Sequence, residues 1–174
     1  MNKMLLLLLP LVFSAGCRSY VWKSSVPDDM RKVSVQTFRN ETDVTELGSV
    51  AARQILREIQ REGTFKIASC ENAAVEVQGV LKKSSLSSIT YRRESYARGR
   101  EYNFEVTAEV SFIDVRTGKI LVDNRAYVAS TSFFTGGDTV TGRRDASGRL
   151  AEDLARQIVD DLVNFKWNTQ EVRK

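Results

Sequence analysis

Residues 102 to 112 alternate without a break, and that alternation constrains the fold more than any other feature of the chain. Tyr102, Phe104, Val106, Ala108, Val110 and Phe112 are apolar, while Asn103, Glu105, Thr107, Glu109 and Ser111 between them are polar. A period of two puts the first set on one side of a strand and the second on the other. Such a strand has one dry face and one wet face, which suits an antiparallel sheet covered on one side only. Two helical stripes can supply the cover. Leu47, Ala51, Ile55 and Ile59 recur every four residues, with Ala52 and Leu56 beside them. Gly63 stands where a left-handed residue ends such a helix. Leu150, Leu154, Ile158 and Leu162 repeat the stripe on a second helix, expected over about 149–165.

The other segments fill in the order. Residues 32–38 alternate around Val33 and Val35, residues 65–67 make a brief strand, and Val75, Val77 and Leu81 alternate with Glu76, Gln78 and Val80. Asp114 to Lys119 reads as a hairpin connection with Gly118 at positive φ, and 120–131 returns as a strand irregular enough to be bulged. Asp43 and Glu46 have the spacing of a capping box ahead of the first helix. Residues 132–147, with Gly136, Gly137 and Gly142, read as a mobile loop. The sum is an α+β two-layer sandwich, with two helices packed on one face of a small mixed, mainly antiparallel sheet. At 174 residues and 42% apolar content, one domain with a real core is expected, over residues 32–166.

The N-terminus sets the compartment. Lys3 precedes the apolar run Met4 to Phe13, far shorter than the roughly 20 residues that span a bilayer. Ser14-Ala15-Gly16 then lead into Cys17, as in a bacterial lipobox, although Ser14 stands where Leu is usual. The reading is a signal peptide over residues 1–16, lipidation at Cys17, and a tether over 17–31. Arg18, rather than Asp, after the cysteine points to the outer membrane, with the domain on its periplasmic side. Acyl chains contribute about 0.8 kcal/mol per buried methylene, so the anchor would be essentially permanent. Cys70 would then be the remaining thiol, expected to be buried and inert. Residues 167–174 are expected to form a flexible tail.

Catalysis finds little support. The chain has no histidine, which removes the commonest general base and metal ligand. No glycine-rich phosphate loop or nucleophile elbow is present. Glu105 and Glu109 share a strand face but lie roughly 13 Å apart, too far for a retaining carboxylate pair. Neither an enzyme nor a resident cofactor or metal is expected.

Charge gives a better lead. Lys82, Lys83, Arg92, Arg93, Arg98 and Arg100 are opposed by Glu94 alone, a local +5 against +4 for the whole chain. Tyr91, Tyr96 and Tyr102 interleave with them, and the segment falls between two strands, so it should form a projecting hairpin end. Arg143 and Arg144 could join it in space. Converging arginine forks bind phosphate, so a phosphorylated glycolipid or an acidic rim on a partner fits, and nucleic acid does not suit a periplasmic lipoprotein. The same pattern also fits an ordinary solvated basic loop. Adjacent Phe133 and Phe134 in the expected loop are a candidate partner contact, unless both rings pack under their own loop.

The ordered features resemble a known family. They are Cys17 followed by Tyr20, then Val33-Ser-Val35-Gln-Thr-Phe38-Arg-Asn40-Glu-Thr42, then Ala74-Val-Glu-Val-Gln-Gly79. The alternating strand, Asp114-Val-Arg-Thr-Gly118-Lys and Ala151-Glu-Asp-Leu-Ala-Arg-Gln-Ile158 follow in order. Together they resemble the LptE family of lipopolysaccharide-assembly lipoproteins, from Cys17 to about Phe165. That resemblance implies a non-enzymatic outer-membrane lipoprotein that plugs the lumen of the LptD β-barrel translocon and binds lipopolysaccharide during its transport to the outer leaflet. The opening strand also resembles other periplasmic lipoproteins, including activators of cell-wall synthases and subunits of secretion channels.

Overall fold

A computed structural model of the protein describes residues 26–89, 100–135 and 138–167, with Arg100 described in its main chain only. In chain order the elements are β1 (Lys32–Val35), β2 (Arg39–Asn40), α1 (Leu47–Glu62), β3 (Lys66–Ile67), β4 (Val75–Ile89), β5 (Arg100–Asp114), β6 (Lys119–Thr135) and α2 (Thr139–Val163). The strands form one mixed six-stranded sheet in the order β3-β1-β4-β5-β6, with β2 also beside β4. β1 runs parallel to both neighbours, Val33 lying opposite Ile67 on one side and Val75 on the other. β4, β5 and β6 make an antiparallel meander.

The alternation in β5 is the organising fact. Phe104, Val106, Ala108 and Val110 are 0% exposed and Phe112 1%, all on the face that carries both helices. Leu47, Ala51, Ile55 and Ile59 of α1 and Leu150, Leu154, Ile158 and Leu162 of α2 close over them in one core. Each large side chain so buried contributes about 1.5–3 kcal/mol. The turn from β1 into β2 is clamped in that core by Phe38. Its ring lies where a Cβ on Gly79 would stand (2.3 Å), and its carbonyl oxygen would meet a Cβ on Gly48 at 2.1 Å. Both positions therefore exclude any side chain.

Gly63 at φ 83° ends α1, and Gly118 at φ 68° closes the β5–β6 turn, where Asp114 Oδ1 accepts from Arg116 N and Thr117 N. Irregularity in the return strand is real, with register shifts around Phe112.

Four expectations are corrected. β6 continues to Thr135 and α2 begins at Thr139, so the loop expected over 132–147 is reduced to a short connection. Asp138 makes the early start, its carboxylate accepting from Val140 N (3.0 Å) and Thr141 N (3.3 Å). No capping box opens α1. Glu46 stands there at φ 64° without a side-chain cap, and the Asp43 carboxylate is taken by Ser84 and Arg143. The packed domain also exceeds residues 32–166: Val26 is 2% exposed, and Trp167 is 7% exposed against Phe65 and Phe165. Cys70, finally, is exposed on the turn before β4 rather than buried. The signal peptide, Cys17 and residues 168–174 lie outside the described residues.

Candidate functional site

Strand layout divides the basic residues. Lys82 is the extra residue of a bulge, falling between the pairs Leu81–Ala108 and Lys83–Thr107. Its Nζ lies 2.9 Å from Glu41 Oε2, and Arg39 Nη2 lies 2.9 Å from Glu41 Oε1. The Lys82 ammonium holds the Glu41 carboxyl below the usual carboxylate range, and Glu41 in turn raises the Lys82 pKa. Lys82 is thus matched locally. Lys83 is exposed and makes no ion pair among the described residues. It sits opposite Thr107, seven residues along β5 from Arg100, a separation of about 24 Å at strand rise. A single cluster of Lys82, Lys83 and Arg100 is therefore ruled out. Arg92, Arg93 and Arg98 lie outside the described residues.

Arg143 is matched locally as well. Its Nη1 donates to Asp43 Oδ2 (2.7 Å), while Ser84 Oγ donates to Asp43 Oδ1. This node ties the first turns of α2 to the loop before α1 and to β4. The two donors, Ser84 first, hold the Asp43 carboxyl below its ordinary range. Beside the node, between the starts of the helices, lies a groove of about 550 Å³ lined by Asp43, Glu46, Val50, Val140, Arg143 and Arg144. Val140 is 69% exposed on its rim.

The adjacent phenylalanines part company because they lie on a strand, not in a loop. Phe133 faces the helices at 6% exposure, stacks on Tyr102 (centroids 5.8 Å, planes 20° apart) and packs under Gly142. It is a core residue, which removes it from the expected partner contact. Phe134 points to the uncovered face and is 72% exposed. Val128 and Ile120 share that face on β6 and are also exposed.

Two features had no signal in the sequence. At the far end of α2, Tyr127 Oη and Arg125 Nη1 both donate to Asp161 Oδ2. Burial, then the Asp161 carboxylate, pushes the Tyr127 pKa up, so the phenol stays protonated and the helix stays fastened to β6. At the rim of the sheet, Gln157 Nε2 donates to Val128 O (3.0 Å) and Arg149 Nη2 to Ser132 O (3.1 Å). Both depend on which residues of α2 overhang β6, which only the tertiary structure sets.

Among the described residues, no group of His, Cys, Asp and Glu is placed to hold a metal ion, and no helix is long and apolar enough to cross a membrane. What the described residues offer is surface: an uncovered sheet face, an open strand edge and a groove between helix starts.

Comparison with known proteins places this fold. The family model described as LptE: Lipopolysaccharide-assembly matches residues 30–162. No curated protein matches the chain. Among solved structures, the hypothetical protein CT253 from Chlamydia trachomatis is similar at TM-score 0.53 and 13% identity, over 78% of this chain and 96% of that one. A neuraminyllactose-binding hemagglutinin homolog from Helicobacter pylori is similar at TM-score 0.52 and 9% identity, over 82% and 91%. At such identities the likeness is one of fold.

Proposed function

The chain belongs to the LptE lipopolysaccharide-assembly family, and from that premise we propose that it is an outer-membrane lipoprotein, anchored through Cys17 on the periplasmic side, that plugs the LptD β-barrel and assists lipopolysaccharide transport to the outer leaflet. The observation that carries this reading is the family match itself, which runs from just before β1 to the end of α2 and so takes in the whole sheet and both helices. The geometry is compatible with it. A small two-layer wedge with an uncovered sheet face and an exposed Phe134 has surface to set against a barrel lumen. The hairpin arginines Arg92, Arg93, Arg98 and Arg100 are the proposed phosphate contacts for lipopolysaccharide; Lys82, matched by Glu41, drops out of that set.

The test is affinity purification of the full-length protein from detergent-solubilised outer membrane. A large β-barrel should come with it in fixed proportion. Recovery of a cell-wall synthase, or of a ring of its own copies, would refute the plug. Lipopolysaccharide contact is tested separately with Arg92→Ala/Arg98→Ala. Charge-assisted contacts contribute about 1.5–3 kcal/mol each, so affinity should fall at least roughly tenfold and weaken with salt. Equal affinities would leave the hairpin as solvated surface.

A further inference from the structure

The sheet has two long outer edges, and the protein treats them differently. On β6 the carbonyls of Val128 and Ser132 point away from the sheet, and Gln157 and Arg149 of α2 occupy both. Side chains seated there block an incoming strand, the usual defence of an open edge. On β4 the first part of the edge is filled by β1 and β2, the last main-chain bond running from Glu41 N to Leu81 O (2.9 Å). From Lys83 to Ile89, β4 is paired, among the described residues, with β5 alone.

The register says which groups this leaves open. Val77 O and Leu81 O face β1 and β2, accepting from Gln36 N and Glu41 N. The bulge at Lys82 moves the count by one residue, so the N–H and C=O groups of Ser84, Leu86 and Ser88 face outward. Among the described residues nothing bonds to them. Beyond Lys83 the strip Ser-Ser-Leu-Ser-Ser-Ile carries neither charge nor proline, so it lacks the guards that β6 has.

We infer that this edge takes an extended segment of the barrel partner, which adds a strand beside residues 84–88. The inference rests on the reading that the partner is a β-barrel. The strands of a closed barrel wall are already paired with one another, so the segment must be a luminal loop or a terminal arm. Its place is collinear with β2, in the row that β1 and β2 leave at Asn40. The Glu41–Lys82 pair closes that end of the strip. Side chains of β4 define the rest of the chemistry. Leu86, 37% exposed on the helix side, asks for an apolar neighbour. Lys83, exposed on the opposite face with no ion pair among the described residues, asks for a carboxylate. An alternating segment with an apolar residue and an acidic one on opposite faces meets both, by main-chain bonds for affinity and side chains for choice.

The experiment uses the full-length protein in its own outer membrane. A photo-cross-linking residue at Ser87 should give an adduct with the barrel, mapping to an extended loop or arm, and the same residue at Ser130 beside the guarded edge should not. Leu86→Pro removes one outward N–H without touching the β5 ladder, and should lower barrel recovery about tenfold while the circular dichroism spectrum is kept. Should that variant misfold, the cross-link on the otherwise unchanged chain decides. Adducts of two copies, a cross-link back into the same chain, or none from Ser87 overturn the proposal. So does wild-type barrel recovery by folded Leu86→Pro, which leaves the plug reading intact. Wild-type protein that brings down no barrel refutes the plug reading first, and this proposal with it.

Discussion

Two glycines of one helix should respond to alanine with opposite signs. Gly142 and Gly148 both lie in α2, where alanine is favoured over glycine by about 1 kcal/mol. At Gly148 an added Cβ meets nothing within 4 Å, so Gly148→Ala should gain about that amount. At Gly142 the same atom would stand 2.6 and 2.7 Å from Cε2 and Cδ2 of Phe133. That ring cannot step aside, because it is buried and stacked on Tyr102. The first turns of α2 must lift instead, carrying Arg143 away from Asp43. Overpacking of this kind costs about 1–3 kcal/mol, so after the helix gain Gly142→Ala should lose about 1 kcal/mol. The pair should then differ by about 2 kcal/mol, or roughly 4–8 °C in Tm for a chain of this size. Thermal and urea unfolding of the purified full-length variants, followed at 222 nm, reads the difference. If both alanines move stability the same way by the same amount, Phe133 is not wedged under α2.

Phe133→Ala should cost about 3–5 kcal/mol in the same assay, whereas Phe134→Ser should stay within about 0.5 kcal/mol and lower barrel recovery; equal losses of stability would contradict the strand placement of the two rings. Because Ser84 and Arg143 depress the Asp43 pKa in the folded state, its stabilising effect is present above the unfolded value of about 3.9 and is lost as pH falls through the lower folded one. The gap in stability between wild type and Asp43→Asn should therefore be small but steady at neutral pH and close below about pH 4; a gap unchanged in acid would dismiss the node. Intact-mass measurement should find acyl chains on Cys17 and none on Cys17→Ala. The Cys70 thiol should react with maleimide in the native fold about as fast as in denaturant, and protection would contradict its exposure.

What could be read from the sequence was what periodicity carries. The β5 alternation and the α1 stripe are dense enough that burial and pattern agree from Phe104 to Phe112 and along Leu47, Ala51, Ile55 and Ile59, and Gly63 and Gly118 mark their turns by steric need. The start of α2 was illegible because Thr139 to Gly148 has a loop's composition; it is helical through the Asp138 cap and through packing on Phe133. The same error hid the difference between Phe133 and Phe134, which exists only once residues 132–135 are a strand. Asp43 and Glu46 had the spacing of a cap, but Ser84 and Arg143, distant in sequence, compete for the same carboxylate and win it. Lys82 and Lys83 part from the expected basic cluster for a reason of length. β4 runs on to Ile89, so Lys82 and Lys83 lie far down a strand and not at its tip.

The position of β1 between two later strands sets an order of assembly. Val33 needs Ile67 on one flank and Val75 on the other, so it has no lasting partner until all of α1 has been made and turned back. The β4–β5–β6 meander has no such wait, since each of its pairings joins neighbours in sequence. Loop closure penalises the first kind of contact more than the second, so the C-terminal meander should form early and β1 should be seated late. A chain that emerges N-terminus first therefore exposes its first strand longest. Substitutions at Val33 should accordingly speed unfolding while leaving the folding rate nearly unchanged, and those at Val106 should slow folding.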